Sequence, residues 1–279
     1  MNKQALIGVF DSGVGGLSVW REIVRLMPTA STLYLADQAH VPYGARSLAQ
    51  VEALTHAAVT WLLMQGADII VIACNTASAA ALTTLRQHWP HIPIVGMEPA
   101  VKPASQATKT GHVGVLATPG TLRADRFSHL VERFANGVHV HTLMGSGLVE
   151  MVENGQLKGP TVAALIQKIM APVQDYPLDH LVLGCTHFPF LAEELQNVLG
   201  PHVKLVDPAP AVARQTWRMW QKHNLGDIHS SNTSWQFVTT GDLDNFRDLT
   251  QTLVGEQLSP PTPPISFRQI TLDGRDKDV

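Results

Sequence analysis

The 279-residue sequence is poor in cysteine: it has two, Cys74 and Cys185, and they make no metal-ligand spacing. It is also poor in charge. Charged residues make up 15%, the net charge is −3, and lysines and arginines are scattered. A nucleic-acid partner would need a basic stripe, so none is expected. No apolar run approaches the roughly 20 residues of a membrane span, so no membrane partner is expected either. The opening MNKQALIGVFDSG lacks the long apolar segment and small-residue cleavage site of a secretory leader. A cytoplasmic location follows as an expectation, and with it reduced thiols rather than a Cys74–Cys185 disulfide.

What is present is a chain with 45% apolar residues, enough for a substantial core and incompatible with disorder. The length suits one large domain or two smaller ones. Short apolar runs recur at 5–10, 32–36, 68–73, 92–97, 112–117, 180–184 and 203–207. Helix-like segments separate them near 16–27, 47–65, 77–88, 121–134, 159–172 and 190–198. Further on come a helix-like stretch at 208–223, polar GDIHSSNTS (226–234), a strand candidate at 235–240 and a helix at 242–254. A stiff SPPTPP segment (259–264) and a GRDKDV tail close the sequence. Uninterrupted Val/Ile/Leu runs alternating with helices predict an α/β fold of mainly parallel sheets flanked by helices.

In such sheets ligands bind beyond the carboxyl ends of the strands. The informative residues are therefore those just after each run: Asp11 and Ser12, Asp37, Cys74 to Thr76, Glu98, Thr118, Cys185 to His187, and Asp207. Both cysteines fall in this class. The sequence also echoes itself. IGVFDSG (7–13) resembles VGVLATPG (113–120), and IIVIACNT (69–76) resembles HLVLGCTH (180–187). Gly8 and Cys74 are 66 positions apart, Gly114 and Cys185 71. The echo predicts two pseudo-symmetric lobes, each presenting a cysteine at a strand end, with the site in the cleft between them. It breaks where Asp11 faces Ala117 and Thr76 faces His187, so the acids that support the two cysteines differ.

A cysteine between a strand and a helix start meets free N–H groups and the positive end of the helix dipole, both of which favour the thiolate. ACNTASAAAL and GCTHFPFL both have that form. Two such cysteines facing each other could move a proton off one face of a carbon and onto the other, inverting a stereocentre with no cofactor. Blander readings stand beside this one. Buried cysteines are commonly small packing residues, and FDSGVGG can be an ordinary strand–turn–helix joint. FDSGVGG matches neither a dinucleotide fingerprint nor a P-loop. His187 can be a local cap, His139 and His141 read as surface residues of a strand, and Tyr43–Gly44 can be a plain turn. A pyridoxal enzyme would need a lysine at a strand end, and Lys102 and Lys204 are poorly placed for that. A two-lobed binding module for a small acid is the reading from a different class.

FDSGVGGLSV, ADQAHVPYG, ACNTAS, GMEPAVKPA, GVLATPGT and GCTHFP, taken together and in order, resemble the glutamate racemases of the cofactor-independent aspartate/glutamate racemase family. The likeness runs from about residue 6 to 210 and weakens after that. Aspartate and hydantoin racemases match FDSGVGG and PYG less well. The resemblance implies a first lobe of residues 1–97 plus 210–279 and a second of 98–209. It implies that Cys74 deprotonates D-glutamate and Cys185 L-glutamate, assisted by Asp11 and His187 respectively. Asp11, Ser12, Tyr43, Gly44, Asn75, Thr76, Thr186 and His187 are similar to the substrate-contacting pairs of the family, and Glu153 resembles a further family acid. No metal or cofactor is implied. The resemblance further implies glutamate as the substrate and a supply of D-glutamate for peptidoglycan synthesis as the expected role; a homodimer is left open.

Overall fold

The computed structural model describes residues 5–226, 233–260 and 262–272. The chain lays down β1 (Leu6–Asp11), β2 (Ser31–Ala36), β3 (Ile69–Ile72) and β4 (Ile94–Val95), then crosses to a second sheet. That sheet is built from β5 (His112–Ala117), β6 (His139–Met144), β7 (His180–Gly184) and β8 (Lys204–Val206). The chain then returns with β9 (Trp235–Thr239) and β10 (Ile265–Gln269). The first sheet has the order β10-β9-β2-β1-β3-β4 and the second β6-β5-β7-β8. Every pairing is parallel. Strands β1, β2, β3 and β7 are buried almost throughout, as their continuous apolar runs require.

The internal echo is visible in the topology. Both sheets contain the order second-first-third-fourth, with the two motif-bearing strands side by side at the centre of each: β1 beside β3, and β5 beside β7. In a doubly wound sheet that pair flanks the switch point, where chains leave in opposite directions and open a crevice. Cys74 follows β3 and Cys185 follows β7. Strands β9 and β10 extend only the first sheet, beyond β2. The two halves share a continuous core in which Val14 and Trp20 belong to the same apolar cluster as Leu116, Leu143 and Phe188.

Several expectations need correction. The run at 92–97 yields a strand of two residues only. The segment 121–134 is not one helix: it breaks at Ala124 into Pro119–Arg123 and Asp125–Phe134. GCTHFPFL does not open an α-helix on its cysteine, because Phe188–Leu191 is a 3₁₀ turn and the helix starts at Ala192. Two short helices, Val101–Ala107 and Leu148–Glu153, and strand β10 have no counterpart in the sequence reading. The GRDKDV tail and most of GDIHSSNTS lie outside the described residues.

Candidate active site

The first half of the site grows from β1 and β3. Strand β1 delivers Asp11, fully buried, and the chain then turns through Ser12 and Gly13. Strand β3 ends just before Cys74, which caps the helix Asn75–His88. The Cys74 sulfur accepts the Ala77 N–H at 3.4 Å and lies 3.7 Å from the Ser12 hydroxyl. Asp11 makes its own hydrogen bonds elsewhere, from the Gly13 N–H at 2.9 Å and the Thr186 hydroxyl at 3.0 Å. Thus Ser12, not Asp11, touches Cys74, and Asp11 acts on it through its field.

The second half grows from β7. Cys185 faces His187 Nδ1 at 3.6 Å, and His187 Nε2 meets Glu153 Oε1 at 2.6 Å. Glu153 ends the short helix Leu148–Glu153, which begins after Gly147 in a left-handed turn. Its Oε1 also accepts the Val14 N–H at 2.8 Å, and its Oε2 the Gln38 amide at 2.9 Å. A carboxylate from the second lobe is therefore held by two residues of the first. Close backbone approach makes this possible. A Cβ at Gly13 would strike the Glu153 carboxylate, and one at Gly15 would strike the His187 ring.

The lobes also meet through hydroxyls. Ser18 donates to the Thr186 carbonyl at 2.9 Å. Thr76 of the first lobe joins Thr118 (2.9 Å) and Thr121 (3.2 Å) of the second, and a Cβ on Gly44 would press on Thr118 at 2.6 Å. Tyr43 is turned away, donating its hydroxyl to Asp37 at 2.6 Å. Asn75 donates to the Met97 sulfur at 3.3 Å, while its buried Oδ1 has no partner among the described residues. Of the residues expected from the sequence, Asp11, Ser12, Cys74, Asn75 and Thr76 gather on one side and Cys185, Thr186 and His187 on the other, while Tyr43 and Gly44 are buried against Asp37 and Thr118. The sequence reading passed over Gln38 and Thr121. Thr121 is the last residue of GVLATPGT and could have been found there; Gln38, in ADQAH, carries no comparable signal.

The electrostatics of the two cysteines differ. Burial pushes the Cys74 thiol up to about 12; Asp11 and Cys185 add to this, while the Ala77 N–H and Ser12 oppose it. The helix start does favour a thiolate, as the sequence suggested, but desolvation outweighs it. Burial likewise raises Asp11, against the pull of His187. For His187 burial acts downward, yet its hydrogen bonds to Cys185 and Glu153 hold it well above the usual imidazole range. Glu153 lies below the usual carboxylate range, because the hydrogen bonds from His187, Gln38 and Val14 overcome its burial. An imidazolium at His187 donates to Glu153 on one side and to the Cys185 sulfur on the other. The site therefore pairs a buried thiol held protonated at Cys74 with a sulfur at Cys185 that faces an imidazole.

Residues 7–216 match the Asp/Glu/Hydantoin racemase family. The chain belongs to this family. Within it, the chain is 46% identical over 258 residues to a glutamate racemase of Ectopseudomonas mendocina, covering 92% of this chain and 98% of that protein. It superposes on the crystal structure of a glutamate racemase isoform of Bacillus anthracis with a TM-score of 0.86 at 31% identity, covering 98% and 100% of the two chains. An Escherichia coli glutamate racemase, crystallised with L-glutamate and the activator UDP-MurNAc-ala, matches with a TM-score of 0.82 at 33% identity, covering 95% and 98%. The α/β fold and the racemase family expected from the sequence are both borne out. No helix among the described residues is long and apolar enough to cross a membrane.

Proposed function

We propose that this chain interconverts L- and D-glutamate, with Cys185 and Cys74 as the two bases and residues 1–97 plus 210–279 and 98–209 as the two lobes that hold the substrate. Cys185 takes the α-proton of L-glutamate onto its sulfur, leaving the electron pair on the α-carbon. The Cys74 thiol delivers its proton to the opposite face. The products are D-glutamate, a Cys185 thiol and a Cys74 thiolate, and the same steps run backwards for D-glutamate. The observation that carries this reading is the asymmetry of the pair. One buried sulfur is held protonated, and the other faces an imidazole backed by a carboxylate. That arrangement puts the donor of a proton on one side and a group able to support a sulfur base on the other.

The surroundings suit the substrate. Glutamate brings an ammonium and two carboxylates. Asp11 and the unpartnered Asn75 Oδ1 are acceptors for the ammonium. The hydroxyls of Ser12, Thr76 and Thr186 and the N–H groups at the starts of helices are donors for carboxylates. Glutamate is thus assigned to Asp11, Ser12, Tyr43, Gly44, Asn75, Thr76, Thr186 and His187. The carbanion-like α-carbon is stabilised by fixed dipoles in a dry site, with no step that requires a cofactor. D-Glutamate so formed would serve peptidoglycan synthesis in the cytoplasm, the setting in which two free cysteines persist.

Incubation in D2O tests this. L-Glutamate should lose its α-proton NMR signal while its circular dichroism decays to zero, and aspartate should exchange far more slowly. Glutamate that keeps its α-proton and its optical activity would overturn the proposal.

A further inference from the structure

Glu153 is held from behind. Its Oε2 accepts from the Gln38 side-chain amide at 2.9 Å, and Gln38 Oε1 in turn accepts from the Thr239 hydroxyl at 2.8 Å. Thr239 ends β9, in the last part of the chain, and is fully buried. Its hydroxyl oxygen already accepts the Gly241 N–H at 2.9 Å, so its proton is free to go to Gln38. That fixes the amide. With its oxygen toward Thr239, Gln38 must present its NH2 to the carboxylate; the flipped amide would set two acceptors against each other at Glu153. A tight turn supports the arrangement, for a Cβ on Gly241 would press on Gln38 Cβ at 2.7 Å.

We propose that Gln38, oriented by Thr239, is a positioning residue for the Cys185 half of the reaction: it holds the Glu153 carboxylate against His187 and so ties the C-terminal strands to the base that works on L-glutamate. The proposal rests on the reading of Cys185 as that base. A line of hydrogen bonds runs Thr239–Gln38–Glu153–His187–Cys185 and crosses from the first lobe to the second at Glu153. Gln38 donates to one carboxylate oxygen, leaving the other for His187 and the Val14 N–H. Without that donor a buried charge loses one of three hydrogen bonds, the carboxylate can rotate, and His187 loses part of its counter-charge. The other titratable groups that act on Glu153 and its neighbourhood are His187, Asp11 and Tyr34, with Cys185 behind the imidazole.

The test compares wild type with Gln38→Leu, Thr239→Val and Thr239→Ser, using glutamate racemisation followed by circular dichroism. The two enantiomers have equal free energies, so kcat/KM must fall equally in both directions. The expected loss for Gln38→Leu is roughly tenfold, the worth of a hydrogen bond to a buried charge. The distinguishing readout is the primary isotope effect. It should rise with α-deuterated L-glutamate, whose proton goes to Cys185, and not with α-deuterated D-glutamate. The acid limb of the pH profile should move upward, because Glu153 has lost a donor that favours its charged form. Thr239→Val should act in the same sense more weakly, and Thr239→Ser, which keeps the hydroxyl, should stay within twofold of wild type. If Gln38→Leu does not fold, the Thr239 pair decides. Gln38→Leu at wild-type activity, isotope effects unchanged for both enantiomers, or Thr239→Ser as impaired as Thr239→Val would each overturn the proposal alone. A wild type that leaves glutamate unchanged would overturn the reading of the site, and this proposal with it.

Discussion

Cys74 and Cys185 have nearly the same exposure, 5% and 6%, yet differ in what lies one side chain away. Cys74 meets a hydroxyl and, across the turn, a carboxylate; Cys185 meets an imidazole. Replacing either by serine should lower turnover by at least about 100-fold, the worth of a positioned acid–base group. Stability should fall by only about 1–2 kcal/mol, measured by urea unfolding. The Cys74 proton offers a second check. Its folded-state pKa, about 12, is raised above the ordinary 9.0, so the folded protein holds the proton more tightly than the unfolded chain. The resulting stabilisation is complete below the unfolded value and is lost as the pH climbs toward the folded one. Between pH 8.5 and 10.5 wild type should therefore lose about 2 kcal/mol more than Cys74→Ser, whose hydroxyl does not titrate there. Equal losses would mean that Cys74 is less buried in its charged state than the structure implies.

At the scale of elements, the site depends on how closely the turn after β1 approaches the turn after β7. Gly15 lies where any side chain would meet His187. Gly15→Ala should displace the imidazole from Cys185 and reduce kcat by about 100-fold with the far-ultraviolet spectrum unchanged, since misplacement by an ångström can cost that much. An alanine variant of normal activity would show that the ring can move freely. The sequence reading located this joint because a β1-to-helix turn rich in glycine is visible in FDSGVGG. It located both cysteines because buried parallel strands are unbroken apolar runs whose ends stand out. It missed the helix Leu148–Glu153, and so could not give Glu153 a partner. LVEMVE is too short to show a helical period, and the partners of its Glu153 side chain are all more than 30 residues away in sequence. The same holds for Gln38 and for strand β10, whose ISFRQ is half-exposed at a sheet edge and lacks the apolar run that marks the central strands. The expected helix on Cys185 is replaced by a 3₁₀ turn over Phe188–Leu191, and nothing in FPFL distinguishes that turn from the first turn of an α-helix, since a proline suits both.

At the scale of the molecule, two sheets with matching strand order share one apolar cluster, while each keeps a further cluster of its own. The six-stranded sheet takes β9 and β10 from the end of the chain, so the first lobe is complete only after the second has been made. Heating should therefore give one cooperative transition in calorimetry, with calorimetric and van't Hoff enthalpies in a ratio of about one. Two resolved transitions would show that the shared core contributes little to coupling the lobes.

The ring of threonine hydroxyls that joins Thr76 to Thr118 and Thr121 starts from the residue two places after Cys74. Cys74 and Cys185 are only 5% and 6% exposed, so an incoming amino acid and a peroxide alike need the surrounding contacts to loosen before they meet sulfur. A thickened medium that slows such loosening should slow product departure and spare the thiols from damage alike.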